Sequence, residues 1–263
     1  MSDQPQIIVR REGTVGHVLF SNPARRNAMT VDMWRAVPGA LQELDADPAI
    51  RVIVLEGAGD VAFVSGADIS QFESVRFDAD ARRRYDDTVE AAYSALLVCS
   101  KPVLAKIRGI CMGGGLGLAA ACDVRICADD ARFRMPAGRL GLGYKFDGVR
   151  RFVALIGAQN TLDIFFTARV FDAQEALRMG FVGKVAPAER LENEAAQWCA
   201  QVADNAPLTL RAAKLAVNAL LAADAERDLH AVDSALEACF QSEDYREGVR
   251  AFLEKRNPRF KGR

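Results

Sequence analysis

Three consecutive glycines, Gly113 to Gly115, join an apolar segment, Lys101–Ile107, to a second one, Leu116–Cys122. The first reads as a buried strand and the second as a buried helix, because neither shows a polar face. A buried helix must satisfy its free N-terminal N–H groups on something. Glycine lets a backbone approach a ligand with no Cβ between them, and the helix dipole favours negative charge at that end. Together these features describe half of an oxyanion hole. By itself the triplet serves equally well as a tight turn packed on a neighbour. It is not a phosphate loop, since no Lys-Ser/Thr follows it, and no Gly-x-Gly-x-x-Gly with a downstream acid is present.

A second joint has the same construction. Arg51–Glu56 is a short apolar strand, Gly57–Asp60 a turn, and Ala62–Asp68 carries another glycine, Gly66. With Asn22–Met29 near the N-terminus, the two joints give three motifs in order, and the chain from Asn22 to Phe260 resembles the crotonase superfamily, the enoyl-CoA hydratase/isomerase group. The resemblance implies an α/β fold, a spiral of strand-strand-helix repeats. It implies a core with an acyl-CoA site over 1–190 and a C-terminal helical oligomerisation region over 191–263, assembled as a homotrimer or a dimer of trimers. The N–H groups of Ala67 and Gly114 are then the pair that polarises the thioester carbonyl. Coenzyme A binding falls to Arg25 or Arg26, since Ala24 holds the commonest basic position, and to Ala62, Phe63, Gly66, Asp68, Phe252 and Lys255. Phe72, Phe77, Tyr85 and Tyr93, in a charged stretch that family members use to roof the acyl pocket, are expected near the acyl chain or in the core.

At two positions the chain departs from the hydratase pattern. The glutamates that manage protons in hydratases are replaced by Gly117 and Ala137, and neither replacement can accept a proton. Positioned acid–base groups contribute about 10²–10⁴-fold, so simple 2-enoyl thioesters are expected to be hydrated poorly. Asp147 lies two residues from the place where some isomerases and a dehalogenase of this superfamily carry an acid, and it is the candidate acid–base residue. It also precedes a helix and reads as an N-cap. Tyr144 and Lys145 are the other candidates on this loop. A non-catalytic acyl-CoA-binding protein and other crotonase chemistries, namely isomerase, thioester hydrolase or decarboxylase, stay open beside the hydratase reading.

The elements that must position these groups are legible in part. Ile7–Arg11 and Val15–Ser21 flank Glu12-Gly13-Thr14 as a hairpin, and Thr30 caps a helix through Leu44. A helix is predicted over Asp78–Cys99, strands over Asp123–Ala128 and Ala131–Phe133, and helices over Val149–Ile156, Gln159–Phe166 and Asp172–Met179, the last stopped by Gly180. The strand Val182–Val185 follows. Helices over 191–204, 207–221 and 224–240 complete the chain. The composition is that of a globular enzyme: 263 residues, 50% hydrophobic and 26% charged, with a net charge of −1 that points to no nucleic acid or anionic membrane. No signal pattern and no run of about 18 apolar residues is seen, so the cytoplasm is expected. The six cysteines form no Cys-x-x-Cys and read as buried thiols, and neither His17 nor His230 has a partner in sequence for metal or nucleophilic chemistry. No metal or redox cofactor is expected, only an acyl-CoA thioester as substrate.

Overall fold

The structure, a computed structural model, describes residues 4–68, 78–222 and 226–263. Strands β1 (Gln6–Glu12) and β2 (Val15–Ser21) form the expected hairpin, closed by Gly13 at φ +59°. Thr30 Oγ1 accepts a hydrogen bond from the Met33 N–H at 3.2 Å and starts α1 (Val31–Ala46). The inner face of α1 carries Met33, Trp34, Val37, Leu41 and Leu44, the spacing of one apolar helical stripe.

From there the chain repeats a unit. β3 (Val52–Gly57) and β4 (Ala62–Val64) precede α2 (Ala79–Val98). β5 (Val103–Ile107) and β6 (Ile110–Met112) lead into α3 (Gly114–Ala121), and β7 (Val124–Ala128) and β8 (Arg132–Arg134) into α4 (Phe146–Thr167). The first strand of each unit joins a six-stranded sheet of order β1-β2-β3-β5-β7-β10, and the second joins a four-stranded sheet of order β4-β6-β8-β9. Pairing is parallel except for β1 with β2 and β8 with β9. This is the expected spiral of strand-strand-helix turns. β9 (Val170–Asp172), α5 (Ala173–Met179) and β10 (Lys184–Ala186) close it.

Alternation along the large sheet divides the core. Ile53, Leu55, Val103 and Ala105 face the main cluster with Trp34, Phe63 and Phe133, whereas Val52, Val54, Leu104 and Ile126 face the opposite way. That second face is covered by Leu191, Ala195 and Cys199 of α6 (Leu191–Ala203), so the first helix beyond 190 completes the core. Three more helices follow: α7 (Pro207–Leu221), α8 (Leu229–Gln241) and α9 (Glu243–Leu253). α7 is tied back through Lys214, whose Nζ donates to Asp123 Oδ2 at 2.9 Å. α7 and α8 bury no residue, although both are rich in apolar side chains. None of the described helices is long and apolar enough to cross a membrane. All six cysteines are unpaired, and five of them are buried.

Boundaries shift where caps outweigh periodicity. The helix expected from 224 begins after Asp228, whose Oδ1 accepts from the Ala231 N–H at 2.8 Å; residues 223–225 lie outside the described residues. Ser242 caps a separate α9. The two segments expected at 149–156 and 159–166 are one element, α4, interrupted at Gly157 with φ +74°. Gly180 ends α5 in the left-handed region, as expected.

One buried cation holds α3 in place. Arg125 donates to the carbonyls of Phe181 at 2.6 Å, Ala119 at 3.1 Å and Cys122 at 2.6 Å. Burial lowers its guanidinium pKa from the ordinary value, and the carbonyl ends of α3 supply the opposing partial charge. Arg125→Met strands these acceptors in a dry interior and is expected to cost on the order of 3 kcal/mol, read as a lower urea midpoint. An unchanged midpoint removes the clamp.

Candidate functional site

The first turn of α3 begins at Gly113, whose φ of +51° and ψ of −114° a side chain would oppose. Its own N–H donates to the Arg134 carbonyl at 3.0 Å, and its carbonyl accepts from Gly117 at 3.1 Å. The N–H of Gly114, first in the helix, has no acceptor among the described residues. On the second joint, Met29 N donates to the Gly66 carbonyl at 2.8 Å and Asp68 N donates to the Met29 carbonyl at 2.9 Å. In such a parallel bridge the intervening residue, Ala67, turns its N–H away from Met29. This second N–H also has no acceptor among the described residues.

Close backbone packing fixes the two joints together. A Cβ at Gly115 would stand 2.3 Å from the Val64 carbonyl oxygen, and one at Gly113 would stand 3.9 Å from Gly66 Cα. Gly66, Ala67, Gly113 and Gly114 consequently border one cavity of about 480 Å³. α2 contributes Tyr85, Val89 and Tyr93 to its wall, and the loop after Pro136 contributes Tyr144. Two unpaired N–H groups on one wall of a largely apolar cavity can polarise a carbonyl oxygen. Among the described residues no cluster of three or more His, Cys, Asp and Glu is arranged to hold a metal ion.

Two phenols stand where position 117 would carry a side chain. A Cβ at Gly117 would lie 2.4 Å from Tyr93 Oη and 3.1 Å from Tyr144 Oη. Tyr93 Oη donates to the Gly114 carbonyl at 3.2 Å, and the two hydroxyls bond each other. The Tyr93 ring meets Trp34 edge-on at 5.7 Å, and the Tyr144 ring meets Phe165 edge-on at 5.3 Å. The Arg151 guanidinium sits 5.5 Å from the Tyr93 ring centroid and pairs with Glu90 at 2.9 Å. Burial drives both phenols up, Tyr93 well above its ordinary pKa and Tyr144 to about 12, so both are neutral at pH 7. Tyr85 and Tyr93 do border the cavity; Phe72 and Phe77 lie outside the described residues. The Tyr93–Tyr144 contact escaped sequence reasoning because it joins residues 51 positions apart across Gly117. The signal was the glycine itself, a missing side chain beside two tyrosines.

The other expected residues divide. Arg25 is exposed and pairs with Asp68 at 3.2 Å, next to Gly66 and Ala67; Arg26 is exposed at φ +53°. Ala62 and Phe63 are core residues: Phe63 is 1% exposed and packs edge-on against Phe20 at 5.5 Å. Both border a separate cavity of about 160 Å³ beside Lys106 and Arg108 rather than the large one. Phe252 is 84% exposed and lies with Lys255 at the end of α9, outside the cavity wall. Asp147 is neither a cap nor a cavity residue. The N-cap of α4 is Lys145, without a side-chain bond, because the helix starts at Phe146, ahead of Asp147, and Asp147 pairs with Arg150 at 3.0 Å. Lys145 pairs with Asp87 at 3.3 Å.

Residues 10–263 match the family described as enoyl-CoA hydratase/isomerase. The chain is 33% identical to a short-chain-enoyl-CoA hydratase of Clostridium acetobutylicum, covering 95% of each chain. It is 31% identical to a peroxisomal Delta(3,5)-Delta(2,4)-dienoyl-CoA isomerase of Arabidopsis thaliana, covering 96% of this chain and 95% of that one. Among solved structures it superposes on an enoyl-CoA hydratase/carnithine racemase from Magnetospirillum magneticum with a TM-score of 0.90, at 33% identity over 98% of this chain and 96% of that one.

The space at position 117 is testable. Gly117→Ala forces its methyl against Tyr93 Oη and is expected to destabilise by about 1–3 kcal/mol, the cost of overpacking a filled interior. Tyr93→Phe in the same chain removes the oxygen and should recover part of that loss. A double-mutant cycle with no coupling between the two sites contradicts the contact.

Proposed function

The chain belongs to the enoyl-CoA hydratase/isomerase family of the crotonase superfamily, and from that premise we propose that it processes an acyl-CoA thioester through an enolate held by the N–H groups of Ala67 and Gly114. The observation that carries this reading is the pair of unpartnered N–H groups on one cavity wall, held on backbone that the Gly115–Val64 approach leaves no room to shift. As the thioester oxygen gains charge, both donors strengthen their bonds to it without reorganising, which is where such sites gain rate. The exposed Arg25 and Arg26, beside the Gly66 joint, suit the phosphates of coenzyme A. This chemistry calls on the thioester as substrate and on no metal or redox group. Gly117 and Ala137 leave the two usual proton carriers absent, so hydration of a simple 2-enoyl thioester is expected to be slow. That same absence supports the second reading, a protein that binds acyl-CoA without turnover.

The outer helices support self-association as a homotrimer or a dimer of trimers. Leu220, Leu236, Phe240 and Phe252 are all more than half exposed, and an apolar cavity of about 900 Å³ opens between α7, α8 and α9. Leu220→Glu should shift the assembly towards monomers in sedimentation velocity; a wild type that sediments as a monomer rules the assembly out.

Turnover of a panel of enoyl-, hydroxyacyl- and malonyl-type CoA esters separates enzyme from binder. Gly114→Pro then isolates the N–H, because proline suits the first helical position. Its Cβ meets Trp34 Cζ2 at 2.9 Å, and Gly114→Ala carries the same contact with the N–H intact. A kcat lower by about 10²–10³-fold in the proline variant than in the alanine variant is expected. Equal rates would exclude Gly114 as a donor.

A further inference from the structure

We propose that Tyr144, aimed by Tyr93, is the proton donor to the α-carbon of the bound thioester, and that the substrate is an α-carboxylated, malonyl-type acyl-CoA. This inference rests on the enolate reading above and gives it a substrate class.

The geometry starts from Gly117. Residues 114 and 117 lie one turn apart on the same face of α3, so the space at position 117 adjoins the Gly114 N–H. A thioester whose oxygen is held by that N–H places its α-carbon, one bond from the carbonyl carbon, beside this space. The space is filled by phenolic oxygen: Tyr93 Oη lies 2.4 Å and Tyr144 Oη 3.1 Å from where a Cβ would stand. Tyr93 is engaged with the Gly114 carbonyl at 3.2 Å and is enclosed by Trp34 and Arg151. Tyr144 is partly exposed on the cavity wall and leans on Tyr93, so it is the hydroxyl that a ligand meets. Tyr93 is accordingly a positioning residue.

The acid–base character of the pair selects the reaction. A phenol held neutral gives a proton to a carbanion and takes none from a C–H bond or from water. The carboxylates on the described part of the cavity wall are Asp86 and Glu90; Glu90 is paired with Arg151, and Asp86 is also engaged. Loss of carbon dioxide reaches the enolate without calling on a base. The Cα–carboxylate bond breaks, its electron pair passes into the thioester oxygen facing Ala67 and Gly114, and CO₂ departs. The Tyr144 O–H proton then forms the new Cα–H bond as the carbonyl is restored. The phenolate left behind regains its proton from water. The net change is one substrate carboxylate and one proton converted to CO₂ and a C–H bond, with no oxidant or reductant.

The test follows CO₂ release and product formation from malonyl-CoA and 2-methylmalonyl-CoA in D₂O, with 2-butenoyl-CoA hydration as the comparison. Wild type is expected to decarboxylate faster than it hydrates and to deliver deuterium to one face of the 2-methyl product. Tyr144→Phe keeps the ring packing on Phe165, so malonyl-CoA should bind with unchanged Kd by calorimetry. Its kcat should fall by about 10²-fold or more, or deuterium should reach both faces. Tyr93→Phe should lower kcat by less, with KM unmoved. A Tyr144→Phe enzyme that matches wild type in rate and stereochemistry overturns the donor assignment while leaving the enolate reading intact. Hydration faster than decarboxylation overturns the substrate class. If wild type binds every thioester and converts none, the catalytic reading fails and takes this inference with it.

Discussion

The site depends on one approach of backbone to backbone. Val64 on β4 brings its carbonyl oxygen to 2.3 Å from where a Cβ on Gly115 would be, so only hydrogen is tolerated at that point of α3. The contact sets the distance between the strand that leads to Ala67 and the helix that begins at Gly114. Parallel pairing of β4 with β6 holds the same two elements from below. Asn27 extends the arrangement to the N-terminal loop, donating from Nδ2 to the carbonyls of Ala62 at 2.7 Å and Ala58 at 3.0 Å. At the far end of α3, Arg125 gathers the last carbonyls. The Gly114 N–H thus opens a helix and the Ala67 N–H is held by a bridge to Met29, so backbone pairing fixes both.

Much of this frame was legible because it is written in short-range signals. Glycine at 113 to 115, Thr30 before α1, and Gly180 after α5 each act within a few residues, and the structure places each element as those residues imply. The repeat of strand, strand and helix was legible for the same reason, since each strand carries its own apolar run and its own turn. The division of the large sheet between two cores follows from alternation along those runs.

What escaped was side-chain placement over long separations. Phe63 sits in a motif expected to meet coenzyme A, yet β4 is a buried edge strand and its ring belongs to the core beside Phe20. Asp147 was read from its neighbour Gly148 as a cap. Helix α4 instead takes its N-cap two residues earlier, at Lys145, and a salt bridge within the first turn engages the carboxylate. The glycine at position 117 was visible in the sequence, but not that two phenols from α2 and the loop after Pro136 stand where a side chain there would be. A missing side chain in a close-packed interior is always an invitation to a neighbour, and sequence order gives no hint of which neighbour accepts.

The edge-on contact between Trp34 and Tyr93 gives the molecule an optical property. The chain has two tryptophans, and only Trp34 borders the cavity beside Ala67 and Gly114, while Trp198 packs beside the second core cluster under the outer face of the large sheet. Indole emission shifts with the polarity of its surroundings and is quenched by groups brought near it. A molecule entering the cavity therefore perturbs one of two intrinsic fluorophores and leaves the other as an internal reference. The protein carries its own occupancy signal, without a label and without any need for turnover.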